Sequence, residues 1–341
     1  MEKVLFLAFC DAEGNLPKTA LEALSAAKAM AEGLGGDWAA GLIGGQVQAG
    51  SNRIAGCGAG KIFGVSGDDF ASARYASDAA AMEAICRASG ATVVVGPADS
   101  RLSRVLAGVA QRLEGRVDAE VTAISTEGGQ PAVTRWFYRQ RMMGVVKRQQ
   151  RPWLISIASG CFAPGQGEPG SAPVEAVVVE LPDAAKRTTV AGIEAPSADE
   201  QTIRPDAKLL FVAGAGWTKK QPDGKAHVDD AETLILGFIK NAKASLGSSK
   251  SLVDLSGEGQ QVLSFMTHLN QIGQTGATPR HPKGLAACCH GEEPHVVGWR
   301  FINERRAINL DPNCGWAQGK ADVLYVADAF AVMSKVNAML E

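Results

Sequence analysis

Short apolar segments alternate with segments of helical spacing through the first hundred residues, and this alternation constrains the fold more than any other feature. Val4–Phe9 is a continuous apolar run, as a strand covered on both faces requires. Residues 19–31 follow it with Ala and Leu at helical spacing. Residues 92–96 form a second buried-strand pattern, and residues 101–113 a second helix. This order predicts an open, mostly parallel α/β sheet with helices on both faces.

Beyond the first hundred residues, strand patterns no longer alternate strictly with helix patterns. Further strands are predicted at residues 38–43, 61–65, 132–139, 143–146, 153–158 and 174–181, and a further helix at residues 75–88. Three of these strands, within residues 132–158, follow one another without a helix between them. Consecutive strands can pair directly through short turns, so the sheet is expected to gain antiparallel members.

A second α/β unit follows a polar stretch with few large apolar groups. We therefore predict an amino-terminal domain at residues 1–185, a linker at residues 186–205 and a second domain at residues 206–341. The second domain's predicted strands are Leu209–Ala213 and residues 285–288, 307–310 and 323–327, and its predicted helices are residues 230–246 and Ala329–Leu340. Both domains are predicted to be α/β.

Composition excludes several classes of protein. The 34 Lys and Arg nearly cancel the 36 Asp and Glu, so the net charge of -2 disfavours a nucleic-acid binder that relies on bulk charge. Every apolar run is too short to span a membrane, and Val4–Phe9 is too short for a signal peptide. The seven cysteines are scattered without a CxxC pair, which favours reduced, buried thiols over a metal site. We expect a cytoplasmic protein, in a bacterial cytosol.

A glycine turn follows the first strand of the second domain. Gly214-Ala215-Gly216 begins like a dinucleotide fingerprint, but the third glycine is absent and position 219 is Lys. The next helix also starts late. A tight turn at a strand end is an equally good interpretation of these two glycines.

Three polar segments at successive predicted strand ends are more informative. Residues 271–276, Gln-Ile-Gly-Gln-Thr-Gly, can bring backbone N–H groups close to an anion or a heterocycle. His290-Gly291 and then His295 follow the next strand, and residues 307–312 end in Asn309, Asp311 and proline. Each segment alone is consistent with an ordinary turn. Together they indicate a ligand crevice, because polar residues at carboxyl strand ends line such crevices in open α/β sheets.

These segments resemble the alpha subunit of electron transfer flavoprotein. That family has a Gln-x-Gly-Gln-Thr-Gly stretch, matched by residues 271–276, and an Ile-Asn-x-Asp-Pro strand end, matched by residues 308–312. Its Ser-Arg-x-x-Val-Asp motif is matched by residues 249–254, and residues 291–295 and 327–330 stand where it has Gly-Ala-Ile-Gln-His and Gly-Asp-Leu-Phe. The resemblance spans nearly the whole chain.

Three positions depart from the family's pattern. Its first turn carries an arginine in Gly-Gly-Arg-Gly, where this chain has residues 214–217, Gly-Ala-Gly-Trp. The arginine of its Ser-Arg motif is Lys250, which keeps the charge but lacks the planar guanidinium fork. The position of a family serine is taken by His290.

The resemblance implies a Rossmann-like second domain that binds FAD. The implied cofactor-binding residues are Ser249, Lys250, Gln271, Gly273, Gln274, Thr275, Gly276, His290, Gly291, His295, Asn309, Asp311 and Asp328. Among them, His290, Asn309 and Asp328 would lie along the pyrophosphate and adenosine half, and Gln274 and Thr275 beside the flavin ring.

The remaining implied roles concern charge and partners. His295 and Lys250 would place positive charge near the ring. The chain would work as a heterodimer with a beta subunit, docked through the amino-terminal domain, with AMP expected only in that partner. It would accept electrons from dehydrogenases and pass them to a quinone-linked oxidoreductase.

Two alternatives stay open at this point. The departures from the pattern favour a flavin-free structural or nucleotide-sensing subunit of the same fold as the second interpretation. A flavin oxidoreductase with its own substrate is the third, and it is less favoured because no acid–base or nucleophile pair stands out. The leading interpretation is a redox carrier without a substrate of its own.

Overall fold

The structure is a computed structural model, and it divides the chain into two units. It describes residues 2–138, 142–165, 168–192, 203–204, 207–254, 262–273, 277, 279–288, 299 and 301–341. The units are Met1–Ile193 and Glu194–Glu341. Most of the predicted linker, residues 186–205, lies outside the described residues, so its bounds stay a prediction.

The first unit is built on one sheet with fully buried central strands. Its strands are β1 Val4–Phe9, β2 Trp38–Gly44, β3 Lys61–Ser66, β4 Val93–Pro97, β5 Arg116–Ser125, β6 Ala132–Phe137, β7 Met142–Val146, β8 Trp153–Ile157 and β9 Glu175–Ala176. They lie in the order β7-β6-β5-β8-β4-β1-β2-β3-β9. The pairs β5-β6 and β6-β7 are antiparallel and the other pairs are parallel. The predicted mostly parallel sheet with antiparallel members is confirmed.

Helices cover both faces of this sheet. They are α1 Lys18–Leu34, α2 Gln48–Arg53, α3 Asp68–Ala71, α4 Tyr75–Ser89 and α5 Ser100–Arg112. Phe6 packs in the core that contains Met30 of α1, whereas its neighbour Leu7 packs with Ile85 of α4 and Val105 of α5. Successive side chains of a strand point to opposite faces, which is why β1 has to be apolar throughout.

Local signals set the ends of these helices. Gly35 and Gly90 follow α1 and α4 with φ of 61° each, the left-handed conformation that glycine adopts without strain. At the start of α5, the Asp99 carboxylate accepts a hydrogen bond of 2.7 Å from the Leu102 backbone N–H. The helices predicted from spacing therefore begin and end within about three residues of the observed ones.

Two predictions for the first unit need correction. The strand β5, Arg116–Ser125, was absent from the prediction because its residues alternate between charged and apolar and form no continuous apolar run. The strand predicted at residues 174–181 pairs with β3 only at Glu175–Ala176. Beyond these two residues the segment packs Val177 and Val179 against the core without a ladder.

The second unit contains a smaller, wholly parallel sheet. Its strands are β10 Leu209–Ala213, β11 Ser245–Ser248, β12 Lys283–Ala287, β13 Glu304–Asn309 and β14 Val323–Val326, in the order β11-β10-β12-β13-β14. Its helices are α6 Val228–Ala242, α7 Lys250–Asp254, α8 Gly315–Lys320 and α9 Ala329–Leu340. Ile235 of α6 and Met333 of α9 pack on one face, and Ala317 of α8 packs on the other.

The helix predicted at residues 230–246 is too long at its carboxyl end. The helix α6 ends at Ala242, Lys243 takes φ of 51°, and β11 begins at Ser245. The sequence Ser-Leu-Gly-Ser has no apolar run that would separate a strand from the helix before it. Its four residues are buried nonetheless, and Gln271 bridges to Ser248 at the outer edge of the strand.

A buried carboxylate ties the antiparallel part of the first sheet to its parallel part. Asp118 on β5 is 1% exposed and accepts hydrogen bonds from Arg148 at 2.8 and 2.9 Å, from Arg135 at 3.3 Å and from the Trp153 indole at 3.0 Å. Burial raises the pKa of Asp118, but the bonds from Arg148, Trp153 and Arg135 outweigh it and hold the pKa below 3.8. Asp118 is therefore an anion that orients β6 and the residues after β7.

We expect Asp118→Asn to lower the free energy of unfolding by about 3 kcal/mol, because two guanidinium groups lose their buried counter-charge. Chemical denaturation measures this loss, and Asp183→Asn at an exposed carboxylate is the matched control. The depressed pKa makes this stabilisation present at neutral pH and lost as the pH falls through the folded-state pKa. A difference between variant and parent that persisted in strong acid would contradict this explanation.

Candidate functional site

The order of strands in the second unit reverses at one place, which we call the candidate crevice. From β10 the chain moves to β11 on one side and then crosses to β12 on the other side. The connections that leave β10 and β12 therefore diverge to opposite faces of the sheet. In open parallel sheets, ligands bind at such a reversal, outside the carboxyl ends of the strands.

Residues at the carboxyl ends of β12, β13 and β14 lie together in the structure. Asn309 at the end of β13, Asp328 after β14 and Cys288 after β12 line one pocket, with Gln221 and Phe330 beside them. The sequence placed Asn309 and Asp328 at one ligand, and the structure brings them to one pocket. Their contact with a ligand stays a prediction.

The glycine turn after β10 is tied to β12 rather than open to a ligand. The Gly214 N–H donates to the Ala287 carbonyl at 3.0 Å, and the Gly216 N–H donates to the Cys288 carbonyl at 3.1 Å. Gly214 has φ of -94°, a conformation that any residue adopts. These bonds give a physical reason why the turn departs from the dinucleotide fingerprint.

Trp217 ends this turn inside the core. Its side chain is fully buried, and its ring lies 4.7 Å from the Phe330 ring, centre to centre. Among the residues that the structure describes, its indole N–H has no hydrogen-bond partner. The bulky ring packs α9 against the turn and fills space that a small residue would leave open.

Ser248 presents a second unsatisfied group at the neighbouring strand end. Its side chain is 0% exposed, and its hydroxyl has no hydrogen-bond partner within the described part of the chain. Buried hydroxyls are almost always hydrogen-bonded in folded proteins. An oxygen-rich ligand in the crevice would supply what this hydroxyl lacks.

Ser249 and Lys250, both predicted site residues, follow β11 directly, and α7 begins at Lys250. The Ser249 hydroxyl accepts a hydrogen bond of 3.3 Å from the Leu252 N–H. The Lys250 ammonium lies 3.3 Å from the Asp254 carboxylate, which also lies 3.0 Å from His268 Nε2. His268 and then Lys250 hold the pKa of Asp254 below its ordinary value. The positive charge of Lys250 is therefore paired with the negative charge of the Asp254 carboxylate.

Gln271 and Gly273 lie beside the same strand. The Ile272 N–H donates to the Ser248 carbonyl at 3.1 Å, and a Cβ on Gly247 would come within 2.9 Å of the Ile272 side chain. The absence of that Cβ lets the segment approach β11. Gly273 has φ of 124°, which other residues rarely adopt, and its N–H donates to the Ala277 carbonyl at 2.9 Å.

The polar side chains at the other strand ends already have local hydrogen bonds. Asn309 Oδ1 accepts from the Asp311 N–H at 2.9 Å, and Asp311 Oδ1 accepts from the Asn313 N–H at 2.8 Å. Asp328 Oδ1 accepts from the Ala331 N–H at 2.9 Å and so caps α9. Each of these residues therefore has a structural role, and its proposed role in binding would be an additional one.

Six predicted site residues lie outside the described residues: Gln274, Thr275, Gly276, His290, Gly291 and His295. Their predicted roles stay predictions. The sequence interpretation also missed two residues of this region, Ser248 and Gln221. Recognition of the short strand β11 would have pointed to Ser248, because it ends that strand.

Burial keeps three of the cysteine side chains, Cys10, Cys86 and Cys288, in their protonated form. Burial raises the pKa of Cys10 and of Cys86 to about 12. Burial, and then the charge of Asp328, raises the pKa of Cys288 beside the crevice. A thiol held in its protonated form is a poor nucleophile and a poor metal ligand.

The first unit has an equivalent reversal between β1 and β4, and the side chain of Arg101 lies beside it. The Arg101 guanidinium lies 4.4 Å from the centre of the Phe9 ring, at the end of β1. It donates to Asp78 at 2.7 Å and to the Phe70 carbonyl at 2.6 Å. Asp78 is fully buried, so this ion pair is part of the core.

Residues 4–184, more than half of the chain, match the family model described as electron transfer flavoprotein domain. The chain belongs to the electron transfer flavoprotein family. The electron transfer flavoprotein subunit alpha of Clostridium acetobutylicum is 25% identical to it, over 96% of this chain and 92% of the relative. Protein FixB of Clostridium saccharobutylicum is also 25% identical, over 96% of this chain and 91% of the relative.

Family membership gives the chain an electron-transfer role. The family match covers the first unit, whereas the two relatives also span the second unit with its crevice. No helix in the described residues has the length and apolar character that crossing a membrane requires.

Two substitutions separate the contribution of Asp328 as a hydrogen-bond acceptor for α9 from the contribution of its negative charge. We expect Asp328→Ala to lower the free energy of unfolding by about 1 kcal/mol, because the first turn of α9 loses its acceptor. Asp328→Asn keeps an acceptor oxygen and is expected to stay within about 0.5 kcal/mol of the parent. Urea denaturation compares the three proteins. Equal losses in both variants would show that the charge, and not the cap, stabilises this end of the helix.

Proposed function

We propose that the second unit binds FAD in the crevice at the carboxyl ends of its strands, and that the chain is the FAD-carrying alpha subunit of an electron transfer flavoprotein. One observation carries the proposal. Asn309 and Asp328 line one pocket at the carboxyl ends of the strands, and at the same edge of the sheet the buried Ser248 hydroxyl has no hydrogen-bond partner among the described residues. Beside the matching reversal in the first unit, Arg101 is instead paired with the buried Asp78.

The chemistry of these groups fits the parts of FAD. The Ser248 hydroxyl can donate to a phosphate or carbonyl oxygen. Asn309 has both a donor and an acceptor in its side chain. Asp328 suits a ribose hydroxyl better than a phosphate, because like charges repel. Beyond the described residues, we propose His290 at the phosphates and Thr275 beside the ring.

FAD supplies the redox chemistry when bound, and the chain's own residues hold it and set the charge around it. Lys250 and His295 are proposed to place positive charge near the ring. The Asp254 carboxylate, 3.3 Å from the Lys250 ammonium, moderates the first of these charges. We therefore propose that the charge state of the Lys250, Asp254 and His268 group influences the potential of the cofactor.

The first unit is proposed to dock the partner subunit through the strand β7. This strand lies at the edge of the sheet and exposes Met142 by 50%, Met143 by 58% and Val145 by 68%, and Tyr138 in the preceding turn is 74% exposed. Edge strands of monomeric proteins are usually protected by charge or proline. A contiguous apolar edge indicates a surface that another chain covers.

The charge of the residues around this edge indicates which kind of partner surface would bind there. Residues 128–167 contain six Lys and Arg and no Asp or Glu. Three of these cations, Arg135, Arg148 and Arg151, pair with carboxylates of the unit. We propose that an apolar, acidic surface of a beta subunit covers β7, with AMP in that partner. Dehydrogenases are the proposed electron donors and a quinone-linked oxidoreductase the proposed acceptor.

Cofactor content tests the proposal directly. We expect the heterodimer with its beta subunit to be yellow and to release FAD on denaturation, identified by chromatography. A colourless heterodimer that does not take up added FAD would contradict the proposal. That outcome would favour the flavin-free alternative.

Ser248→Ala tests the crevice. In the cofactor-free protein we expect equal or slightly greater stability, because the buried hydroxyl that is removed has no partner in the described part of the chain. Binding of FAD should weaken about five- to tenfold, because one hydrogen bond is lost. Fluorescence titration measures the affinity, and Ser334→Ala, at an exposed hydroxyl on α9, is the matched control. Unchanged affinity would remove Ser248 from the site.

Met143→Glu combined with Val145→Glu tests the docking edge. Both side chains are exposed, so we expect the fold to persist, whereas association with the beta subunit should weaken at least about tenfold. Co-purification and sedimentation measure association. Val178→Glu, at a valine that is 85% exposed elsewhere in the unit, is the control. Equal association in all three proteins would place the interface elsewhere.

A further inference from the structure

Nine residues, 219–227, connect the turn after β10 to α6, and we call this segment the strap. It lies against the candidate crevice, because Gln221 lines the same pocket as Asn309 and Asp328. Neither the family match, which ends at residue 184, nor the sequence motifs assign any role to the strap.

Internal hydrogen bonds give the strap a defined shape. The Gln221 side-chain amide donates to the Gly216 carbonyl at 3.1 Å and to the Lys219 carbonyl at 2.8 Å. Its backbone N–H donates to the Lys225 carbonyl at 2.8 Å, and Gly224 turns the chain with φ of 80°. Gln221 is thereby fixed between the turn after β10 and the pocket.

His227 holds the carboxyl end of the strap in place. Its Nε2 lies 2.7 Å from the Asp223 carboxylate and its Nδ1 lies 3.3 Å from the Asp230 carboxylate. The ring edge faces Phe330 of α9 at 6.3 Å between centres. The strap is therefore held to α6 and α9, two of the helices that cover this face of the sheet.

The charge of the strap complements a phosphate group. It carries Lys219, Lys220 and Lys225, which are exposed, whereas the pocket itself contributes the carboxylate of Asp328. The one acidic residue of the strap, Asp223, faces His227. Lysines act as point charges that attract phosphates over several ångströms.

We propose that the strap closes one side of the cofactor crevice and contacts the phosphate-bearing, adenosine half of the dinucleotide. Gln221 forms the wall of the pocket, and the three lysines neutralise the pyrophosphate. This inference rests on the proposed function, since FAD is its ligand. ADP carries the same pyrophosphate and adenosine without the flavin ring, so it separates the two halves.

The test measures binding of FAD and of ADP to the cofactor-free heterodimer by calorimetry. The variant replaces Lys219, Lys220 and Lys225 with Gln. We expect both affinities to fall about tenfold at low salt, through the loss of charge opposite the phosphates. The control replaces Lys208, Lys283 and Lys320 with Gln, which removes the same charge at the amino ends of the strands. Its affinities should stay within about twofold of the parent.

The outcomes separate this inference from the proposed function. A loss for FAD without a loss for ADP, or equal losses in variant and control, would overturn the strap's role. If the parent binds ADP but not FAD, the proposed function fails, and the ADP affinities still decide the role of the strap. A parent that binds neither overturns both.

Proteolysis gives a second measurement on the unaltered protein. Trypsin cleaves after lysine, and the strap has three exposed lysines. We expect ADP to slow cleavage in the strap several-fold and to leave cleavage after Lys208 unchanged. Cleavage of the strap at the same rate with and without bound ADP would contradict a contact.

Discussion

Parallel pairing of buried strands is the constraint on which the rest of the structure depends. Each parallel connection has to cross the sheet, so all carboxyl ends of the strands meet at one edge. In the second unit this rule gathers Ser248, Cys288, Asn309 and Asp328, which are far apart in the chain. The reversal between β10 and β12 then opens the edge at one point. The candidate site is a consequence of strand order before it is a consequence of any single residue.

The two units obey the same rule with opposite results. In the first unit a buried ion pair, Arg101 with Asp78, occupies the region beside the reversal and satisfies its own hydrogen bonds. In the second unit the Ser248 hydroxyl remains unsatisfied within the described residues. The contrast concerns these two places alone: the Arg101 and Asp78 pair meets its own hydrogen bonds, whereas the Ser248 hydroxyl leaves one that a ligand would meet.

Charged residues are distributed unevenly along this protein. The net charge of -2 hides residues 128–167, which have six Lys and Arg and no Asp or Glu, and a strap with three lysines. Asp118 shows how such charge is organised, because one buried carboxylate orients two arginines of the antiparallel region. Lys250, Asp254 and His268 form a smaller group of the same kind beside the candidate crevice. Both groups place charge where a partner or an anionic ligand would meet the chain.

The sequence by itself determined the class of fold, both sheets and the positions of most elements. An apolar run such as Val4–Phe9 is stable only when both of its faces are buried, and a glycine such as Gly35 adopts without strain the left-handed conformation that ends a helix. It also pointed to Asn309 through its position after an apolar strand, and the resemblance to the family pointed to Asp328. Only the tertiary structure decided the rest. The strand β11 has no apolar run of its own and exists because β10 and Gln271 flank it. Likewise, the unsatisfied state of Ser248 and the place of Gln221 depend on neighbours distant in sequence, and no local pattern encodes such neighbours.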